Sequence, residues 1–319
     1  MPVSTPRGAR TSRAPRLPRS RAAANRRARR LRPLVAAASA LVVLTAGALW
    51  LVGDEDAPVV RQRCTATVDG QSTSLSPEQA GHAATVVGIA VRRELPARAA
   101  TIGIATVVQE SGLRNLDHGD RDSLGLFQQR PSQGWGTEQQ VQDPVFATNA
   151  FYDALVQVEG YRDLPVTDAA QRVQRSGFPL AYGDHEPEAR LIASALTGYT
   201  PAGFTCRLRR AEPDAQVGTD EQASLKAQRL RDAAAVQAVR VDAAVVPGTD
   251  GKGLQWSLQG EEAPRLAWAA AAWAVASAAG YDVVEVEVAG HRWEREAPGR
   301  GWVGADTGVP EGDVRVRVS

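Results

Sequence analysis

Glu110 stands at the end of an apolar run, in Val107-Val108-Gln109-Glu110-Ser111-Gly112-Leu113. A carboxyl group there is suited to acid chemistry. Burial among apolar side chains disfavours its charged form and can lift a Glu pKa toward ~6, so that the group keeps a proton near neutrality. Such a proton is what a leaving glycosidic oxygen requires, and a positioned acid contributes ~10²–10⁴-fold to rate. Gly125-Leu126-Phe127-Gln128 follows downstream. Leu113, Leu126 and Phe127 are the side chains expected to wall in the acid. Most glycosidases use two carboxylates, and Asp117, Asp120 and Asp122 occupy the intervening loop.

A Glu-Ser pair closing a helix, then Gly-Leu-aromatic-Gln at this spacing, resembles the lysozyme-like lytic transglycosylases. The wider stretch GDRDSLGLFQQRPSQGWGT is also similar to exported, membrane-anchored actinobacterial proteins with that domain. The resemblance covers about residues 75–205. It implies that Glu110 is the acid and base that cleaves the MurNAc-GlcNAc β-1,4 bond of peptidoglycan and closes a 1,6-anhydro ring. It also implies that Ser111 bonds sugar or helps hold the helix end, that Gln128 donates to an N-acetyl group or lines the cleft, that Gly125 lets the backbone approach the glycan, and that a hydroxyl at Tyr182 steadies Glu110. The family usually carries Ala-Tyr-Asn-Ala-Gly near that tyrosine. Here the sequence reads Ala181-Tyr182-Gly183-Asp184, without the Asn.

Other residues admit both a functional and a bland reading. Trp135, between Gly134 and Gly136, suits stacking on a sugar or simple loop packing. Tyr152 is expected to reach the cleft, while Phe127 and Phe151 suit a core. Arg130 and Arg175 fit peptide-stem carboxylates or solvated surface equally well. The four histidines, His82, His118, His185 and His291, are scattered, and the Asp117–Asp122 cluster has neither zinc nor calcium-loop spacing. No metal and no cofactor is expected.

The elements that must position these groups follow from local signals. Ser76-Pro77-Glu78-Gln79 reads as a capped helix start. Pro96 opens a second helix over 97–111, small and apolar enough to be buried, and Gly112 stops it. Further helix starts stand at Asp143-Pro144 and at Pro165-Val166-Thr167, and 186–197 reads as the last helix before Cys206. The expectation is therefore α+β overall: residues 76–210 as an all-α lysozyme-like domain after an extended lead-in at 54–75, a linker and charged helix at 211–240, and a small α+β accessory domain at 241–319. In the last, 254–258, 284–288 and 314–318 predict strands and 267–279 an Ala-rich helix. Its Trp256, Trp268, Trp273, Trp293 and Trp302 suit core filling or a glycan-binding face.

Charge and cysteine content bound the cellular address. The net charge of +1 conceals an asymmetry, because residues 1–53 hold 11 Arg and no acid. The remainder has 26 basic against 36 acidic residues, a balance of −10, which gives no case for nucleic-acid binding. Leu34 to Val52 is uncharged, and at helical rise it spans ~29 Å, enough for a bilayer core. The Arg-rich flank then predicts a cytoplasmic tail at 1–33, a transmembrane helix at 34–53, and the bulk of the chain outside the cell membrane. A cleaved signal peptide is the rival. Cys64 and Cys206 are the two cysteines. A disulfide between them suits an exported chain, with unpaired thiols or outside partners as the alternative.

These signs predict a membrane-anchored enzyme acting on peptidoglycan strands. The alternatives are a non-catalytic wall-binding scaffold of the same fold and a hydrolytic lysozyme. No feature of the chain names a protein partner.

Overall fold

A computed structural model of the chain describes residues 61–177, 180–211, 219–238, 244–247, 252–297 and 299–319. They fall within one unit, Val60–Ser319. The expected tail and membrane span, 1–53, lie outside them, and among the described residues no helix is long and apolar enough to cross a membrane.

The first departure from expectation comes at once. Residues 63–75 form a β-hairpin, β1 Arg63–Val68 and β2 Gln71–Leu75. Its two-residue turn is Asp69-Gly70, both with positive φ (49° and 79°), the type I′ geometry that matches strand twist and that Asp-Gly favours. β3 Phe204–Arg207 pairs antiparallel with the other edge of β1. This places Cys64 opposite Cys206, and the two are joined in a disulfide. The region expected to be all-α, 76–210, therefore contributes β3 to a three-stranded antiparallel sheet ordered β2-β1-β3, whose other two strands come from the expected extended lead-in. That expectation is corrected: the described chain is α+β throughout, with two antiparallel sheets.

Helix α1 (Pro77–Arg92) begins with a complete capping box. Ser76 Oγ accepts from Gln79 N, and Gln79 Oε1 accepts from Ser76 N at 2.8 Å. α2 (Ala97–Ser111) is buried through most of its length because its residues are small and apolar. Gly112 ends it in a left-handed conformation, φ 62°. Gly112 N donates to Val108 O, the single 5→1 bond of an αL cap, and Leu113 N reaches further back to Val107 O, so both helix-end carbonyls are satisfied. A long loop with a single 3₁₀ turn, Pro131–Gln133, leads to α3 (Glu138–Gln142) and α4 (Pro144–Leu155), the latter capped by Asp143. α5 (Val166–Gln174), the single turn α6 (Ala181–Asp184) and α7 (Glu186–Leu196) follow.

After α8 (Thr219–Gln237) come β4 (Ala244–Pro247), β5 (Gly253–Ser257), α9 (Ala263–Ala276) and the short α10 (Ala278–Tyr281). Strands β6 (Val283–Val288), β7 (His291–Glu294), β8 (Trp302–Gly304) and β9 (Asp313–Val318) complete a six-stranded antiparallel sheet ordered β4-β5-β9-β6-β7-β8. Strict alternation sends Val286, Val288, Val314 and Val316 to the buried face. The opposite face is a cross-strand charge ladder. Glu287, only 4% exposed, is held by Arg292 (2.7 Å) and Arg315 (3.1 Å), the pairing of opposite charges that stabilises adjacent strands.

Residues 76–210 and 241–319, expected as two domains, share one continuous core. α9 packs on α1 and on the buried face of the large sheet. Two neighbouring approaches are close enough to require glycine: α1 meets the end of α8, where a Cβ at Gly88 would lie 2.2 Å from Gln237 O, and the turn after α7 meets α9, where one at Gly198 would lie 2.0 Å from Arg265 O. The tryptophans explain themselves here. Trp256, Trp273 and Trp293 are fully buried, Trp293 Nε1 donates to Cys206 O and Trp302 Nε1 to Phe204 O. These last two rings bond across to β3, so the tryptophans serve the core and the junction.

Candidate active site

Glu110 lies in the last turn of α2, half-buried, where the chain leaves the helix. Two donors converge on one of its oxygens. Tyr182 Oη donates to Oε1 at 2.5 Å, and Gln174 Nε2 donates to the same atom at 3.3 Å. Oε2 has no donor among the described residues, so a proton on this carboxyl belongs on Oε2. Burial raises the Glu110 pKa above the ordinary carboxylate range, and the bonds from Tyr182 and Gln174 partly oppose it. Tyr182 is itself buried, and that burial together with the neighbouring carboxylate pushes its phenol well above its usual range. It stays a hydroxyl donor at any physiological pH.

The helix end is fixed from several directions. Gln79, already part of the α1 cap, donates its Nε2 to Gly112 O at 2.9 Å. One residue before Glu110, Gln109 Oε1 lies 3.0 Å from His185 Nε2, whose other nitrogen meets Glu188. Ser111 Oγ donates to Val107 O and Leu126 O at 3.0 and 2.8 Å. Its hydroxyl therefore joins the helix end to the Gly125-Leu126-Phe127-Gln128 turn, the helix-end role that was one of its two expected readings. Gln174 makes the same join from α5, donating to Phe127 O at 2.7 Å.

That turn is tight. Leu124 and Gln129 exchange backbone bonds at 3.0 Å, and Gly125 has φ 78°. A Cβ on Gly125 would lie 2.2 Å from Val141 O. Its lack of a side chain is thus required by the close approach of α3. Gln128, at φ 48°, sends its amide protons to His118 O and Gly125 O. It lines the cleft, with its donors engaged in holding the loop.

The cleft above Glu110 encloses about 500 Å³, with Gln128, Arg130, Trp135, Gln174 and Arg175 among its walls. Trp135 is half-buried at one side. Tyr152 is elsewhere. It is wholly buried, its hydroxyl donates to Val86 O at 3.1 Å, and a Cβ at Gly103 would come within 2.7 Å of that hydroxyl. The expectation that Tyr152 reaches the cleft is corrected: it is a core residue, beside the stacked pair Phe127 and Phe151.

The loop acids separate by their partners. Asp122 Oδ1 accepts from Arg130 and Oδ2 from Ser132 N, both at 2.8 Å, and these bonds hold its carboxyl far below the usual range. Asp117 pairs with the exposed His118, which lowers its pKa. Asp120 is the one of the three that lines the cleft. Among the described residues no cluster of His, Cys, Asp or Glu is arranged to hold a metal ion.

Neither a protein-family model nor any curated protein sequence gives a significant match to this chain. The site must be read from its own geometry.

Residues that sequence reading missed are Gln174, Gln109 with His185, and the Arg130–Asp122 pair. Only Gln174 had a usable signal, a helix-end amide between Val173 and Arg175. Its partners lie 47 and 64 residues away in sequence, beyond any local pattern.

Proposed function

We propose that this protein is a peptidoglycan lytic transglycosylase that uses Glu110 as its sole catalytic carboxylate. The observation carrying the proposal is a half-buried carboxyl facing a cleft of about 500 Å³, with its pKa raised by burial and Oε1 held by Tyr182 and Gln174. In the first step the carboxylic acid gives its proton to the glycosidic oxygen as the C1–O bond of the muramic residue breaks. The substrate's N-acetyl oxygen stabilises the cationic carbon. The resulting carboxylate then takes the proton of the 6-hydroxyl while that oxygen bonds to C1. An anhydro ring closes, the acid is regenerated and no water is consumed. The Cys64–Cys206 disulfide supports a site of action outside the reducing cytoplasm.

Asp120 in the cleft wall favours one second reading, hydrolysis by an activated water. The decisive experiment is mass spectrometry of muropeptides released by wild type and by Glu110→Gln. Anhydro products from wild type and a loss of about 10²–10⁴-fold in the variant are expected. Products heavier by one water assign hydrolysis. Equal release by both proteins overturns the role of Glu110.

A further inference from the structure

The Glu110 cleft does not end at Trp135. A second basin of about 790 Å³ continues beyond it and shares Gln133, Trp135, Gln174 and Arg175 with the first. Arg172 enters its wall from α5, and no acidic side chain lines it. Both arginines are exposed and make no ion pair among the described residues. Arg175 has a fixed backbone: it caps α5 in the left-handed region, φ 52°, with its N–H on Gln171 O at 2.8 Å. The chain after residue 53 has a balance of −10. A basin wall with two unpaired guanidinium groups and no carboxylate therefore inverts the local sign of charge, in continuity with the catalytic cleft.

Guanidinium groups recognise carboxylates through paired N–H···O bonds. A glycan lying past Trp135 presents the basin with whatever its amino sugars carry. We propose that the basin lined by Arg172 and Arg175 is a carboxylate-binding extension of the cleft, which selects glycan strands whose sugars bear acidic substituents. The identity of the polymer rests on the transglycosylase reading, but the binding claim does not. Two sources offer the same chemistry: the lactyl carboxylate of a muramic residue without a stem, and the carboxylates of a peptide stem where the lactyl group is tied up in the amide that joins it.

Binding by the full chain carrying Glu110→Gln leaves the ligand intact and separates these sources. Three soluble ligands of equal length are compared: peptide-bearing strands, stem-stripped strands in which the lactyl carboxylate is freed, and N-acetylglucosamine oligomers with no carboxylate. Two exposed charge pairs support a preference of about fivefold for the carboxylate-bearing strand the basin recognises over the uncharged oligomer. Adding Arg172→Gln and Arg175→Gln abolishes that margin with little change in melting temperature. A margin held only by stem-stripped strands assigns the lactyl carboxylate, one held only by peptide-bearing strands assigns the stem, and one held by both shows that the basin takes a carboxylate from either source. Equal affinity for all three ligands, binding to none, or a margin that survives the arginine substitutions overturns the proposal. Arginines that merely cap α5 would lower the melting temperature and leave the margin in place. Product chemistry of the wild type is not used in this measurement, so transglycosylation can fail while carboxylate selection stands, and the reverse.

Discussion

Tyr182 and Glu110, 72 residues apart in sequence, meet through a 2.5 Å hydrogen bond in which the phenol donates to Oε1. The bond works against burial: it favours the carboxylate, while the surrounding protein favours the acid. Removing it with Tyr182→Phe is expected to push the Glu110 pKa further up. The acid form then persists to higher pH, so the alkaline limb of the kcat profile moves to higher pH. Loss of positioning should also lower kcat by about tenfold, the equivalent of one hydrogen bond to a charged group. A pH–rate profile reads both effects, and a limb that stays in place or moves down contradicts this account.

Burial of Glu110 also has a consequence for stability. The folded pKa is raised above the unfolded value, so this group's contribution is fully favourable below the unfolded pKa. It is lost as pH rises through the folded pKa. Glu110→Gln removes that loss. The variant should gain melting temperature relative to wild type as pH rises across the interval between the two pKa values, then hold a constant margin above it. Thermal melts from pH 4 to 8 give the test, and a margin that shrinks with rising pH runs against it.

Gly125→Ala tests the turn beneath the cleft. The position combines φ 78° with a contact that would place Cβ 2.2 Å from Val141 O. Left-handed strain and overpacking together predict a loss of roughly 2–4 kcal/mol. Denaturant unfolding measures it. The same change displaces the carbonyls that anchor Ser111 and Gln174, so activity should fall in the surviving folded protein.

The disulfide closes a separation of 142 residues between two paired strands. In the loop-entropy model its loss costs about 5 kcal/mol, as an upper figure. Cys64→Ser with Cys206→Ser, or reduction, should lower the melting temperature sharply. An unchanged melt would show that β1 and β3 hold without it.

Tyr152→Phe separates core from cleft. The hydroxyl donates to Val86 O in a fully buried setting, so its removal should cost about 1 kcal/mol in stability. Activity per folded molecule should not change. A variant that keeps its stability but loses substrate affinity would return Tyr152 to the cleft.

Signals spanning a few residues were readable in the chain itself. The Ser76–Gln79 capping box starts α1, Gly112 stops α2, and together they put Glu110 at a helix mouth. The alternation of 284–288 and 314–318 is that of β6 and β9. These features depend on backbone hydrogen bonds and side-chain periods within one element, so neighbouring residues suffice to specify them. The small sheet was hidden for the opposite reason. The Asp69-Gly70 turn was a local hint, but β1 is completed only by β3, across a separation of 142 residues at Cys64 and Cys206. Tyr152 had the right type and spacing for the cleft, and only packing against Val86 and Gly103 turned it inward. In the same way, the second donor on Glu110 and the arginine-lined basin come from α5 folding back onto the end of α2. Residue identity decided which groups could carry a proton or a charge. Which of them share a cavity was decided by tertiary packing, because proximity between distant segments is a property of the folded chain.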